Sequence, residues 1–256
     1  MASEQEAAAE RAALILKRYA SANSRLRAQF WACILPAVAI SFLTGPALAA
    51  DIPSICHGRP AAGRIEHAVQ LPLRGPNFEA YSQLGIQLGR TYVHSTVRDI
   101  VLQTYAEMQK SRPQVELVYG ETGLKEGGPM LPHRTHQAGT SLDFLVPVKD
   151  RNGQPALLPR SPNNRFGYGL EFDMNGKFGP LRIDFETIAE HLYQLDQVAR
   201  RNGVRIGLVI FDPVLTKQLM RTARGPQIRG LPYMKGEAWI RHDEHYHVDF
   251  AIPCAP

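Results

Sequence analysis

Several familiar signatures are missing from this 256-residue chain. There is no H-E-x-x-H stretch, which removes the common zinc-protease helix. There is no G-x-S-x-G stretch, so a serine nucleophile elbow has no support. Ser141 has no evident role as a nucleophile. Residues 55–256 hold no internal repeat and no low-complexity linker. No basic stripe is interleaved with aromatics, which argues against nucleic acid as a partner. The longest apolar run, Phe30 to Leu43, is interrupted by Pro36 and Ser41 and is too short for a comfortable membrane span. Cysteine is also scarce: three in all, of which only Cys56 and Cys254 lie beyond residue 50.

What precedes that apolar run is basic: Lys17, Arg18, Arg25 and Arg27. Small residues, Ala47 and Ala49, follow it. Positive region, apolar region and A-x-A site are the layout of a secretory signal peptide, here over residues 1–50, with an uncleaved anchor as the alternative. The expected location is the periplasm. Residues 1–50 carry five Lys/Arg and three Asp/Glu, so the remainder keeps +3 of the formal +5 charge. A mildly basic exported protein suits an anionic polymer such as the cell wall. In an exported chain an even cysteine pair favours a disulfide over two buried free thiols. About 200 residues remain, enough for one domain with a full hydrophobic core.

The most informative stretch is His136-Gln-Ala-Gly-Thr-Ser-Leu-Asp143, read with His245-Tyr-His247. A catalytic zinc takes three protein ligands and leaves one position for water. His136, Asp143 and His247 supply such a set, and His245 stands beside it as a candidate base. Residues 140–148 read as a strand with apolar residues on both faces, so Asp143 is expected to be buried. A buried carboxylate needs a partner or a metal. Gly139 allows a tight turn between His136 and Asp143. On a strand over 245–252, His245, His247 and Asp249 share one face. A core hydrogen bond between a histidine and an aspartate remains the competing reading of these pairs.

The periodicity predicts a helix over 94–110 capped by Ser95 or Thr96, and a second helix opened by Asp184 and stopped at Gly203. Strands are expected at 66–73, 115–119, 204–211, 238–241 and 245–252, and a short helix at 212–220. Residues 120–134 read as a loop that delivers His136, and 149–182 as a long irregular excursion. The fold class is α+β: a mostly antiparallel sheet with helices on one face and the zinc site on the sheet. His191 falls on the polar side of its helix and is expected to be exposed. His57, His67 and His94 have no constellation around them. Asp249 reads equally as an orienting partner for a ligand histidine or as a sheet-edge charge. Glu121 and Asp212 read as site neighbours or as turn and cap residues.

The H-x6-D plus H-x-H pattern resembles the metallopeptidases that include D-alanyl-D-alanine carboxypeptidases, lysostaphin-type endopeptidases and penicillin-insensitive murein endopeptidases. It is most similar to the last. Gly63 to Pro76, Gly127-Gly128 with His133 and Thr135-His136-Gln137, and His242-Asp-Glu-His245-Tyr-His247-Val248 carry the likeness, which spans most of 55–254. The segment 149–182 is less similar, and two cysteines after residue 50 are fewer than that family leads one to expect. The resemblance implies a zinc (Zn2+) metallopeptidase domain over 51–256 acting on peptidoglycan. His136, Asp143 and His247 would bind zinc, with His133 a further candidate ligand. His245 would be catalytic base or transition-state stabiliser, assisted by His242. It also implies hydrolysis of D-alanine-containing cross-links. A D,D-carboxypeptidase and an inactive wall-binding relative are the alternatives.

Overall fold

A computed structural model describes residues 52–256. The signal-peptide expectation lies outside the described residues. The central sheet has five strands. β4 (Phe78–Ala80), β6 (Leu117–Tyr119), β7 (Ser141–Leu145), β12 (Ile206–Ile210) and β13 (His245–Phe250) run in the spatial order β12-β13-β7-β6-β4. All neighbouring pairs are antiparallel except β4 with β6. The fold is therefore α+β with a mixed, mostly antiparallel sheet. β7 and β13 are buried along their whole length. Their register sets His247 opposite Asp143 and Tyr246 opposite Phe144. Alternation then divides the chemistry. Phe144, Tyr246 and Val248 join the hydrophobic core, while Asp143, His245 and His247 turn to the other side.

Two 17-residue helices are in contact with each other, α2 (Ser95–Ser111) and α3 (Phe185–Arg201). α2 buries Val97, Ile100, Val101, Tyr105 and Met108, the expected stripe. Its cap is His94, not Ser95 or Thr96: the His94 Nδ1 accepts from the Thr96 N–H at 3.1 Å. The Ser95 N–H instead donates to Ser54 Oγ at 2.9 Å. α3 opens as expected at Asp184, whose carboxylate accepts from the Thr187 N–H and hydroxyl. His191 corrects the sequence reading. It is fully buried, and the Tyr246 hydroxyl donates to its Nδ1 at 2.8 Å. Burial pulls its pKa down to about 3, so it remains a neutral core residue. A helical wheel misplaces it because its partner arrives from β13.

Residues 149–182 are less irregular than the sequence suggests. They contribute to a small sheet of β8 (Val148–Lys149), β9 (Pro155–Ala156), β10 (Lys177–Phe178) and β11 (Leu181–Ile183), ordered β10-β11-β8-β9. Two Asp-x-Asn-Gly turns organise it. Asp150 Oδ1 accepts from the N–H groups of Asn152 and Gln154, and Asp173 Oδ1 from those of Asn175 and Lys177. Strands of two or three residues are too short to show a period, which is why they escape a pattern reading. The strand expected over 238–241 does not form. There Trp239 lies beneath the Arg134 guanidinium at 5.3 Å, and Arg241 reaches Asp212, Asp243 and the Phe172 carbonyl. These outward anchors replace sheet pairing.

Cys56 and Cys254 form a disulfide across 198 residues. Backbone bonds flank it: the Ala255 N–H donates to the Cys56 carbonyl and the Gly58 N–H to the Ala255 carbonyl, each at 2.8 Å. The chain-entropy model assigns so long a loop roughly 5 kcal/mol, an upper figure. Cys56→Ser should therefore lower the melting temperature by roughly 10 °C. Turnover measured well below the transition should hardly change. A calorimetric scan showing no shift would reject the stabilising role.

Candidate functional site

β6 ends at Tyr119, and the chain then loops through residues 120–140 before re-entering the sheet as β7. Backbone hydrogen bonds hold this loop from several sides. The Tyr92 and His94 N–H groups donate to the Gly123 and Gly139 carbonyls, and the Thr122 N–H to the Arg90 carbonyl. The hairpin of β1 (Ile55–Arg59) and β2 (Ala62–Glu66) holds the far flank: Ile65 N–H donates to the Glu126 carbonyl, and Gln137 N–H to the Pro60 carbonyl. Gly139 is in the left-handed region at φ +70°, and a Cβ there would meet Ile65 at 2.5 Å. Gly120 has a different constraint: its Cβ would lie 2.2 Å from the Tyr168 hydroxyl and 2.9 Å from Asp143 Cβ. His136 itself is left-handed, at φ 70°. For a non-glycine residue that costs about 1–2 kcal/mol, and such strain gathers at functional sites.

Three ligand-type atoms converge there. The His136 Nε2 lies 3.1 Å from His247 Nδ1 and 3.3 Å from Asp143 Oδ1, and the latter two are 2.9 Å apart. All three residues are buried. Each imidazole is oriented from behind. His136 Nδ1–H donates to the Thr122 carbonyl at 3.0 Å. His247 Nε2–H donates to Asp249 Oδ1 at 2.7 Å, and that oxygen also accepts from the Ser141 hydroxyl. In the neutral tautomers these bonds select, two lone pairs and one carboxylate face a common point. This donor set suits a cation. His133 enlarges it: His133, His136 and Asp143 each offer a ligand atom within 4.8 Å of the others. His133 Nδ1 is 3.6 Å from Asp143 Oδ2. Asp249 is thus the orienting partner rather than a bare edge charge.

The electrostatics fit a site built around Asp143. Burial opposes its charge, but His136, His245 and His247 outweigh this and hold it well below the usual carboxylate range. Burial likewise works against a proton on His247, yet Asp249 and Asp143 raise its pKa to about 10. His247 is therefore charged near pH 7, with its Nδ1 proton directed at Asp143 Oδ1. His136 is lowered, chiefly by burial. His245 falls to about 4 and His242 to about 3, each chiefly by burial, so both are neutral near pH 7.

His245 and His242 sit together, their rings 4.4 Å apart. His245 Nδ1 is 2.9 Å from Glu244 Oε1, and its Nε2 is 3.8 Å from Asp143 Oδ2. His242 Nδ1–H donates to the Ile240 carbonyl at 2.6 Å. The structure thus brings together His133, His136, Asp143, His242, His245 and His247. Three neighbours escaped the sequence reading. Tyr168 donates to Asp143 Oδ2 at 3.1 Å and accepts from the Glu121 N–H at 2.7 Å. Arg90 holds both oxygens of Glu121, which also bonds Tyr81 and His133. Burial would raise the pKa of Glu121, but His133 and Arg90 hold it at about 2. Glu244 stands beside His245 in sequence, and that adjacency was its only signal. Asp212 remains a cap: it accepts from the Val214 and Leu215 N–H groups.

The site opens into a cavity of about 460 Å3. Tyr81, Leu84, Leu88, Leu131, Trp239 and Ile240 wall it, and His133, Tyr168, His242, Glu244 and His245 lie toward the converging ligand atoms. A second cavity of about 450 Å3 shares His242 and lies along residues 236–241. An apolar trough with a few converging polar groups is the usual form of a substrate site. Among the described residues no helix is long and apolar enough to cross a membrane.

The family model described as penicillin-insensitive murein endopeptidase matches residues 56–255. No curated protein matches the chain.

Proposed function

This chain belongs to the penicillin-insensitive murein endopeptidase family, and on that premise we propose that it is a zinc-dependent endopeptidase that hydrolyses D-alanine-containing peptide cross-links of murein in the periplasm. The observation that carries the metal is the convergence of His136 Nε2, His247 Nδ1 and Asp143 Oδ1 within 2.9–3.3 Å. Those separations are the edges of a ligand triangle around an ion held at about 2.0–2.2 Å. His136, Asp143 and His247 would hold the zinc, and His133 is the further candidate. When bound, the zinc supplies Lewis acidity toward the scissile carbonyl and toward water.

The chain's own groups supply the rest. His245, neutral near pH 7 and held at Nδ1 by Glu244, offers Nε2 as general base for the attacking water. His242 stands against it with its Nδ1–H committed to the Ile240 carbonyl, so it would assist at the oxyanion only as imidazolium, once Nε2 has taken a proton. Tyr168 fixes the second oxygen of Asp143. The apolar walls exclude bulk water and strengthen these contacts. Residues 1–50 act as the export leader in this reading, and residues 51–256 as the catalytic domain.

Digestion of purified murein tests the reading. Cross-linked dimers should disappear without release of free D-alanine. Free D-alanine would indicate a D,D-carboxypeptidase. Binding to murein with no cleavage, in zinc-loaded protein, would indicate an inactive wall-binding relative.

A further inference from the structure

One charge in the larger cavity is unmatched. Arg90 is committed to Glu121, and Glu121 is balanced by Arg90 and His133. Arg134 lies over Trp239. The guanidinium of Arg165, exposed at the cavity wall, has no hydrogen bond or ion pair among the described residues. Its backbone is also unusual. Arg165 and Phe166 are consecutive left-handed residues, at φ 53° and 57°, inside the short turn Pro162–Gly167. Two successive non-glycine residues in that region persist only where the surroundings force them.

The surroundings do so. Asn164 Oδ1 accepts from the N–H groups of Ser161 and Gly167, and its Nδ2 donates to the Pro159 carbonyl. Arg160 ties the preceding segment to Glu79 and the Ala80 carbonyl. Phe166 packs edge-on to Tyr81. The turn thus holds an unpaired guanidinium at the rim of the trough, a few residues before Tyr168.

We propose that Arg165 is the specificity residue with which the trough takes a carboxylate of an acidic peptide substrate, its planar fork matching the two oxygens. This rests on the endopeptidase reading above and adds to it the group that selects an anionic substrate. The trough then accepts an apolar segment and one negative charge together.

The probes are cross-linked murein peptide dimers with free carboxylates, and the same dimers with those carboxylates amidated. Binding is read by calorimetry on the full chain carrying His245→Ala, so that the probes are not consumed. Adding Arg165→Gly should weaken binding of the free-carboxylate dimers about tenfold, in line with one charge-assisted contact at an open rim. It should leave the amidated dimers unaffected, and the melting temperature should hold or rise because glycine accepts the left-handed backbone. Arg165→Lys should keep much of the discrimination. Equal binding of both dimers, or equal binding with and without Arg165, would overturn the assignment, as would failure of either dimer to bind. Cleavage by the unaltered chain is scored separately. Dimers that bind with this discrimination but are not cut would sink the endopeptidase reading and leave the arginine's role standing.

Discussion

His247→Ala is expected to lose both bound zinc and essentially all activity. His247 supplies one corner of the proposed ligand triangle and, through Asp249, anchors it to β13. Its removal leaves His136 and Asp143 facing a hole, with Asp249 buried and short of its partner. Metal analysis of the purified variant gives the answer directly, and full zinc occupancy would refute the ligand assignment. The titration of His247 adds a second readout. Asp249 and Asp143 hold its pKa at about 10 in the metal-free protein, so it carries a proton at pH 7. Zinc must displace that proton. Uptake at pH 7 should release about one proton per ion, measurable in weakly buffered solution, and apparent affinity should strengthen as pH rises toward 10. In the His247→Ala variant that release should vanish.

His245→Ala should behave differently: turnover falls by about two orders of magnitude or more while zinc content stays near normal. The distinction lies in distance. His245 Nε2 approaches Asp143 at 3.8 Å, whereas His247 Nδ1 approaches it at 2.9 Å. Glu244→Gln is the companion variant. It keeps a side-chain oxygen for His245 Nδ1–H but removes the acid, so it should cost turnover less than His245→Ala and alter the pH profile without changing zinc content. Loss of zinc in His245→Ala with residual turnover in proportion would mark His245 as a ligand instead.

How far the sequence reveals this site depends on how its residues are spaced. His245 and His247 are two apart on a strand, so alternation alone places them on one side. Asp143 is legible as buried because its neighbours are apolar on both faces. The disulfide is legible because only two cysteines lie beyond residue 50. Arg90 and Tyr168 are not, since they are brought to the site from separate loops and no local period marks them. His191 misleads for the converse reason: a polar residue at a helical position looks solvent-facing until a tyrosine from another element is seen to meet it. The two- and three-residue strands of 148–183 fall below the length at which any pattern can be read, and the Trp239 segment forgoes a strand because its side chains find anchors elsewhere.

The loop over 120–140 is gripped through main-chain atoms, by Arg90, Tyr92, His94, Pro60 and Ile65. Such a grip ignores what the side chains are and registers only how many residues lie between the holding points. Point changes among the exposed residues of this stretch should therefore drift freely over evolutionary time, while a one-residue gain or loss anywhere between Gly123 and Gly139 would carry His136 out of line with β13. The segment is in effect a ruler: its length, more than its exposed side chains, places His136.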